Sequence, residues 1–150
     1  MQTGFTFFSN TKKAIPYSMI VSWSTYLPQS HPDCKVDLQT NLQKPTCKTG
    51  ETLRLTSILK NKTATGLPMT IAIIGIPSGL SAQPWQLKEL QEKKLVDFYE
   101  VNKNHIVFYY RDLAPSESHT INLDLKAEIP ETYEAPASSA YLYYTNEFKD

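Results

Sequence analysis

The stretch Gln83-Pro84-Trp85-Gln86-Leu87-Lys88-Glu89-Leu90-Gln91-Glu92-Lys93-Lys94 carries the only convincing helix signal in the chain. Proline suits the first turn of a helix, where its missing N–H has no partner to lose, and the residues after Pro84 mostly favour helix. At 100° per residue Leu87, Leu90 and the stem of Lys94 fall on one side, while most charged groups fall on the other. We therefore predict one short amphipathic helix near residues 84–94.

Strand patterns lie on both sides of this helix. Residues 69–76 are almost continuously apolar, as in a central strand that is covered on both faces. Residues 120–129 alternate, which predicts an inner face made of Ile121, Leu123, Leu125 and Ala127. Further strands are predicted at 34–42, 53–59, 97–102, 105–111 and 140–144. Many strands around one helix predict an all-β antiparallel sandwich and not a helical bundle or an α/β fold.

The first thirty residues are set apart from the rest. Residues 4–9 and 17–26 are aromatic and β-branched and predict a hairpin. Residues 27–33 contain two prolines among polar residues, which is typical of a linker. We expect a boundary near residue 30, with a fragment at 1–30 and one domain at 31–150. Two strands alone are marginally stable in water, so the hairpin needs another sheet to pack against.

Composition excludes several classes of protein. Fifteen Lys and Arg residues balance fifteen Asp and Glu residues. The sequence also lacks a basic stripe with interleaved aromatic residues, so nucleic-acid binding is not predicted. No apolar run approaches the roughly 20 residues of a membrane span. Nothing in the composition predicts a cofactor. Cys34 and Cys47 are thirteen residues apart, and a disulfide between them would contribute about 3 kcal/mol in an oxidising compartment. Bonded and free thiols fit the sequence equally well, whereas zinc ligation is not indicated.

No catalytic motif accompanies the three histidines, His31, His105 and His119. A small hydrolase using His119 with Ser116 or Ser118 is conceivable but disfavoured, because neighbours in a tight loop rarely face each other in catalytic geometry. We therefore predict no enzymatic activity.

Three other sequence features indicate surface roles. Asn61-Lys62-Thr63 matches the N-glycosylation acceptor pattern, with Asn61 as the acceptor. The many tyrosines suit half-buried strand positions, but they also fit a platform for stacking sugars, so a stand-alone carbohydrate- or surface-binding module is the alternative function. A basic docking patch could be formed by Lys88, Lys93 and Lys94. The simpler interpretation is local pairing with Glu89 and Glu92 along the helix.

A longer pattern adds a resemblance. The order of five segments resembles the C-terminal receptor-binding domain of the alpha-macroglobulins and complement thioester proteins. These segments are Ile76-Pro77-Ser78-Gly79-Leu80, the helix, Phe98-Tyr99-Glu100-Val101, Val107-Phe108-Tyr109-Tyr110 and the closing run Pro136–Tyr144. The likeness covers about residues 33–148. It implies an immunoglobulin-like sandwich of the macroglobulin type, within a large extracellular, cell-surface or periplasmic protein. Residues 1–30 would then end a CUB-like domain.

The same resemblance implies how the domain acts. It implies docking on other domains of the parent protein, and on a cell-surface receptor of the lipoprotein-receptor type through two helix lysines four residues apart. Lys88 matches the second lysine, while Pro84 stands in place of the first, so Lys93 or Lys94 would have to substitute. Neither cysteine lies in the Gly-Cys-Gly-Glu-Gln thioester motif of the family.

Overall fold

Eight strands and one α-helix make up the described part of the chain, which in this computed structural model is residues 29–150 with the isolated positions Phe8, Pro16, Ser18 and Ile20. In chain order they are β1 (Val36–Leu42), β2 (Thr52–Asn61), β3 (Leu67–Gly75), β4 (Leu80–Ala82), α1 (Pro84–Glu92), β5 (Phe98–Val101), β6 (His105–Leu113), β7 (Ser118–Ala127) and β8 (Ser139–Leu142). A 3-10 turn, Tyr143–Thr145, follows β8. The hairpin predicted at 4–9 and 17–26 lies outside the described residues.

The strands form two antiparallel sheets that enclose one core. One sheet has the order β1-β2-β7-β4 and the other β5-β6-β3-β8. Buried side chains of both sheets meet in one cluster, for example Leu59 and Leu123 from the first and Ile74 and Phe108 from the second. This arrangement confirms the predicted all-β sandwich with one helix.

The alternation predicted for β7 is confirmed. The predicted inner side chains are all buried, while Asn122 and Lys126 are exposed. β7 lies inside its sheet, because it pairs with β2 on one side and with the short β4 on the other. Its side chains therefore point alternately into the core and away from it. The strands predicted at 97–102 and 105–111 are confirmed too, and they pair as β5 and β6 with Phe98 opposite Tyr109.

The ends of the helix and of the last strand differ from the predicted ones, and one strand was not predicted. The helix ends at Glu92, so Lys94 lies beyond it with its side chain exposed and not packed on the buried side. The last strand ends at Leu142, where the backbone turns into the 3-10 helix. Strand β4 was not predicted, because its three residues are too few to show a period of two.

The two ends of the described chain meet at one corner of the sandwich. The His31 N–H donates to the Lys149 carbonyl at 2.8 Å, and the His31 and Phe148 rings lie 4.7 Å apart. Asp150 exchanges two backbone hydrogen bonds with Ala140 of β8. Residues 149–150 therefore lie along the outer edge of β8, beside the point where residues 29–31 enter the domain.

Candidate docking surfaces

The side chain of Gln86 fixes helix α1 to the sheet by hydrogen bonding to the backbone of β7. The Gln86 side chain is buried, its Nε2 donates to the Asp124 carbonyl at 3.0 Å, and the Asp124 N–H donates to its Oε1 at 2.8 Å. β4 pairs with β7 only as far as Ala82 opposite Leu125. The amide therefore satisfies backbone groups of β7 that β4 is too short to reach. Leu87 and Leu90 pack into the core beneath.

The Asp124 side chain binds Arg54 of the neighbouring strand β2. Arg54 Nε and one terminal nitrogen donate to the two carboxylate oxygens at 2.8 and 3.0 Å. This hydrogen bonding to Arg54 lowers the pKa of the Asp124 carboxyl, with partial burial acting in the other direction. A forked pair of this geometry fixes the outer face of the sheet beside the helix.

The helix ends in a Schellman motif with a lysine at the position that glycine usually occupies. The Lys94 N–H donates to the Gln91 carbonyl, and the Leu95 N–H donates to the Leu90 carbonyl. Lys94 has φ +58°, in the left-handed region that strains a residue with a Cβ. The backbone thus turns away from the helix axis at Lys94.

These features create the helix surface, which we define as Trp85, Lys88, Lys93 and Lys94. Lys93 pairs with Glu89 at 2.5 Å and Lys88 with Glu92 at 3.6 Å, so the predicted local pairing is present. Lys94 has no ion pair within the described residues. The Trp85 side chain is 62% exposed at the first turn. The helix surface thus combines three lysines with one apolar ring.

A second surface lies on the outer face of the sheet β5-β6-β3-β8. Phe98 is opposite Tyr109, Tyr109 opposite Ile71, and Ile71 opposite Tyr141. The flanking residues Phe108, Ala72 and Ala140 belong to the core, so this row of four side chains points away from it. We call Phe98, Tyr109, Ile71 and Tyr141 the outer row. Sequence reasoning missed it, because the row exists only once the register of four strands is known.

With this geometry in hand, the sequence can be compared with known families. A sequence model of the family described as A-macroglobulin receptor binding domain matches residues 67–150, which run from β3 to the corner at Asp150. The chain belongs to this family. The resemblance inferred from the Pro-Ser-Gly turn, the helix and the aromatic strands is thereby confirmed.

Solved macroglobulin structures share the fold of this receptor-binding domain. A mutant of Salmonella alpha-2-macroglobulin matches 81% of this chain with a TM-score of 0.64 and 13% identity. Escherichia coli alpha-2-macroglobulin activated by porcine elastase matches 81% with a TM-score of 0.63 and 11% identity. The domain spans only 9% and 12% of those two chains. A search of curated proteins gave no match.

The structure keeps the two cysteines of the receptor-binding domain apart. Both are free thiols. They flank the seven residues of β1, and a strand of that length spans about 20 Å, whereas bonded cysteines need Cα atoms within about 7 Å. Burial raises the pKa of the Cys34 thiol, whose Sγ faces the Ala140 carbonyl at 3.8 Å. The disulfide that the sequence left open is therefore not formed in this structure.

Asn61, predicted from the sequence as a possible glycosylation acceptor, is a buried residue with a structural role. Its side chain is 0% exposed. Nδ2 donates to the Thr65 and Ala114 carbonyls at 2.8 Å each, and Oδ1 accepts from the backbone N–H and hydroxyl of Thr63 at 2.8 Å. A glycan on Nδ2 would displace a donor and would need space that the fold does not leave. The acceptor pattern here is a buried turn that anchors the β2–β3 loop.

The histidines show no arrangement for catalysis in the described part of the domain. His119 Nε2 lies 3.1 Å from the Glu117 carboxylate, and its ring packs 5.1 Å from that of Tyr110. No hydrogen bond joins it to Ser116 or Ser118 within residues 29–150. In that same range no group of three or more metal-ligating side chains comes together, and no helix is long and apolar enough to cross a membrane.

Proposed function

We propose that this receptor-binding domain is a non-catalytic docking module of a large, secreted or periplasmic macroglobulin of the protease-trapping type. The helix surface is the part that its partner contacts. The family assignment supports the docking role, and the small share of the solved macroglobulins that the domain spans supports a much larger parent. The Escherichia coli relative is described as activated by porcine elastase, which supports a parent that meets proteases.

Lys94 is the observation that carries the assignment to the helix surface. The C′ position of a Schellman motif favours glycine, and any other residue there pays for its Cβ with strain of about 1 kcal/mol. Lys94 nevertheless occupies it, with φ +58° and an exposed side chain. No contact within the described residues explains a lysine there. Strain retained without a structural reason is a mark of a functional position.

The chemistry of the helix surface favours an acidic partner. Lys88 and Lys93 are held only by exposed pairs within the helix, and such pairs typically stabilise by less than about 1 kcal/mol. Their ammonium groups can therefore exchange Glu89 and Glu92 for carboxylates of a partner at small cost. Trp85 adds an exposed aromatic ring, the residue type that most often anchors protein interfaces.

Binding measurements on the intact chain test this proposal. The probe is a recombinant set of acidic, calcium-binding repeats from a lipoprotein-type receptor, the partner class that the family resemblance implies. We expect Lys94→Gly and Lys88→Ala each to weaken binding about tenfold, equivalent to about 1.4 kcal/mol. Higher salt should weaken binding of the unmodified chain, because exposed charges are screened.

Lys103→Ala is the matched control. Lys103 is an exposed lysine in the β5–β6 turn, so its substitution removes the same charge away from the helix surface. Lys94→Gly also separates binding from folding, since glycine relieves backbone strain while removing the side chain. Equal binding by all four proteins, or equal weakening by Lys103→Ala, would contradict the assignment to the helix surface.

A further inference from the structure

The outer row is an apolar stripe across a sheet face that has no cover in the described part of the chain. Phe98 is 52% exposed at one end, while Ile71 in the middle is only 5% exposed although it lies outside the core cluster. Its neighbours Tyr109 and Tyr141 shield it. Val107 beside it is also buried outside the core, at 7%. This face is therefore packed like an interior layer that lacks its second side.

Further aromatic side chains extend the stripe beyond β8. Tyr143 and Tyr144 are 56% and 74% exposed, with their rings 5.2 Å apart. Burial raises the pKa of the Tyr109 phenol, and so does the Glu100 carboxylate, with smaller contributions from the nearby Tyr141 and Tyr143. A contiguous exposed patch of this kind marks a contact surface.

The chain enters the domain beside this stripe. His31 bonds to the backbone of Lys149, and the Lys149 ammonium lies 4.7 Å from the centre of the Tyr141 ring. The continuous described chain therefore begins close to one end of the outer row, and residues 1–28 precede this point in sequence. Four strands about 4.8 Å apart make a face roughly 15 Å wide, which fewer than ten extended residues can cross.

The composition of residues 1–28 complements an apolar surface. The segment contains no Asp or Glu, the first carboxylate of the chain being Asp33. It is rich in aromatic residues, namely Phe5, Phe7, Phe8, Tyr17, Trp23 and Tyr26. Phe8 and Ile20 are 92% and 90% exposed. Both the segment and the outer row therefore carry apolar side chains that need cover, and the segment itself brings no carboxylate that would have to be desolvated.

We propose that residues 1–28 dock on the outer row and form a third layer of this domain. Aromatic side chains of the segment pack against Phe98, Tyr109 and Tyr141, and the Lys149 side chain marks the edge where the segment crosses β8. This surface is separate from the helix surface, so the two assignments stand or fall independently.

Photo-crosslinking in the intact chain tests the docking. The photoreactive amino acid p-benzoylphenylalanine replaces Phe98, and in a control chain it replaces Lys126 on the polar outer face of the other sheet. After irradiation and digestion, we expect peptides from residues 1–28 joined to the β5 peptide of the same molecule. The control should give no such product. Crosslinks only between two copies of the chain, or equal products from both positions, would overturn the proposal.

Fluorescence quenching provides a second measurement. Trp85→Phe leaves Trp23 as the single tryptophan, and in that chain we expect acrylamide to quench Trp23 weakly. Adding Tyr141→Asp should raise the quenching constant at least threefold, because a carboxylate in the outer row repels the apolar segment. Adding Lys126→Asp should not change it. Strong quenching of Trp23 in all three proteins would show an undocked segment.

Discussion

The side-chain amide of Gln86 hydrogen bonds to both backbone groups of Asp124, so a helix residue takes the place of a strand partner. Gln86→Ala leaves an N–H and a carbonyl of β7, both partly buried, without protein partners. We expect it to lower the free energy of unfolding by about 2 kcal/mol. Urea unfolding measures this, with Gln83→Ala as control because the Gln83 side chain caps nothing. Equal losses from both variants would contradict the role of the amide.

Gly75 lies where the 134–138 segment crosses the end of β3. A Cβ built there would come within 1.9 Å of the Pro136 carbonyl oxygen, which belongs to the backbone and cannot move aside cheaply. Gly75→Ala should therefore destabilise the domain by about 3 kcal/mol. Gly66→Ala is the matched control, since its Cβ would meet the Leu113 carbonyl at an ordinary 3.6 Å. Thermal unfolding of both variants should show a large shift for Gly75→Ala alone.

Asn61 is expected to tolerate no charge. In Asn61→Asp a buried carboxylate faces the carbonyls of Thr65 and Ala114, which previously accepted from Nδ2. We expect a loss of about 3 kcal/mol at neutral pH, partly recovered in acid where the carboxyl is protonated and can donate again. Asn41→Asp, on the exposed side of β1, is the control. A loss that does not depend on pH would mean that the carboxylate is not desolvated.

The Arg54–Asp124 pair predicts a pH dependence of stability. Because Arg54 lowers the pKa of Asp124 in the folded state, this contribution is complete above the ordinary carboxyl value and is lost as the pH falls through the lower folded value. In Arg54→Gln, we expect the difference in unfolding free energy from the unmodified chain to be constant above about pH 4 and to shrink below it. Arg111→Gln, whose partner Asp97 is 4.0 Å away, should show a smaller difference.

Lys94→Gly should stabilise the domain, which is unusual for glycine near a helix. The positive φ of Lys94 costs about 1 kcal/mol with a Cβ present, and glycine removes that cost. Lys93→Gly is the comparison, since Lys93 has φ −78° and glycine there gains nothing. A lower unfolding midpoint for Lys94→Gly than for Lys93→Gly would argue that the lysine side chain itself stabilises the motif.

Periodicity predicted the parts of the fold whose environment repeats along the chain. β7 shows this best, because each inward residue meets the same core and each outward residue meets solvent. The sequence alone could not predict β4, because this strand depends on pairing with β7. It also could not predict the exact end of the helix, which depends on a lysine adopting a backbone conformation typical of glycine. The resemblance to the family was recognised from the order of several motifs along the chain and not from any single helix or strand.

The candidate sites were harder to predict because they depend on distant residues coming together. The lysines of the helix surface are close together in sequence, so the sequence alone was enough to suggest them as a patch. The outer row combines four strands from residue 71 to residue 141, and only the register reveals it. The role of Asn61 was not predictable from its motif, because Asn-x-Thr describes both a glycan acceptor and a turn in which the asparagine side chain satisfies the backbone. Burial decides between the two.

The meeting of His31 and Lys149 at one corner has a mechanical consequence. Tension applied between residue 29 and residue 150 acts at a single corner and peels β1 from β2 beginning at Val36, opposite Asn61. The ladder bonds then break one after another and do not share the load. In a single-molecule pulling experiment the sandwich should therefore unzip strand by strand at low force.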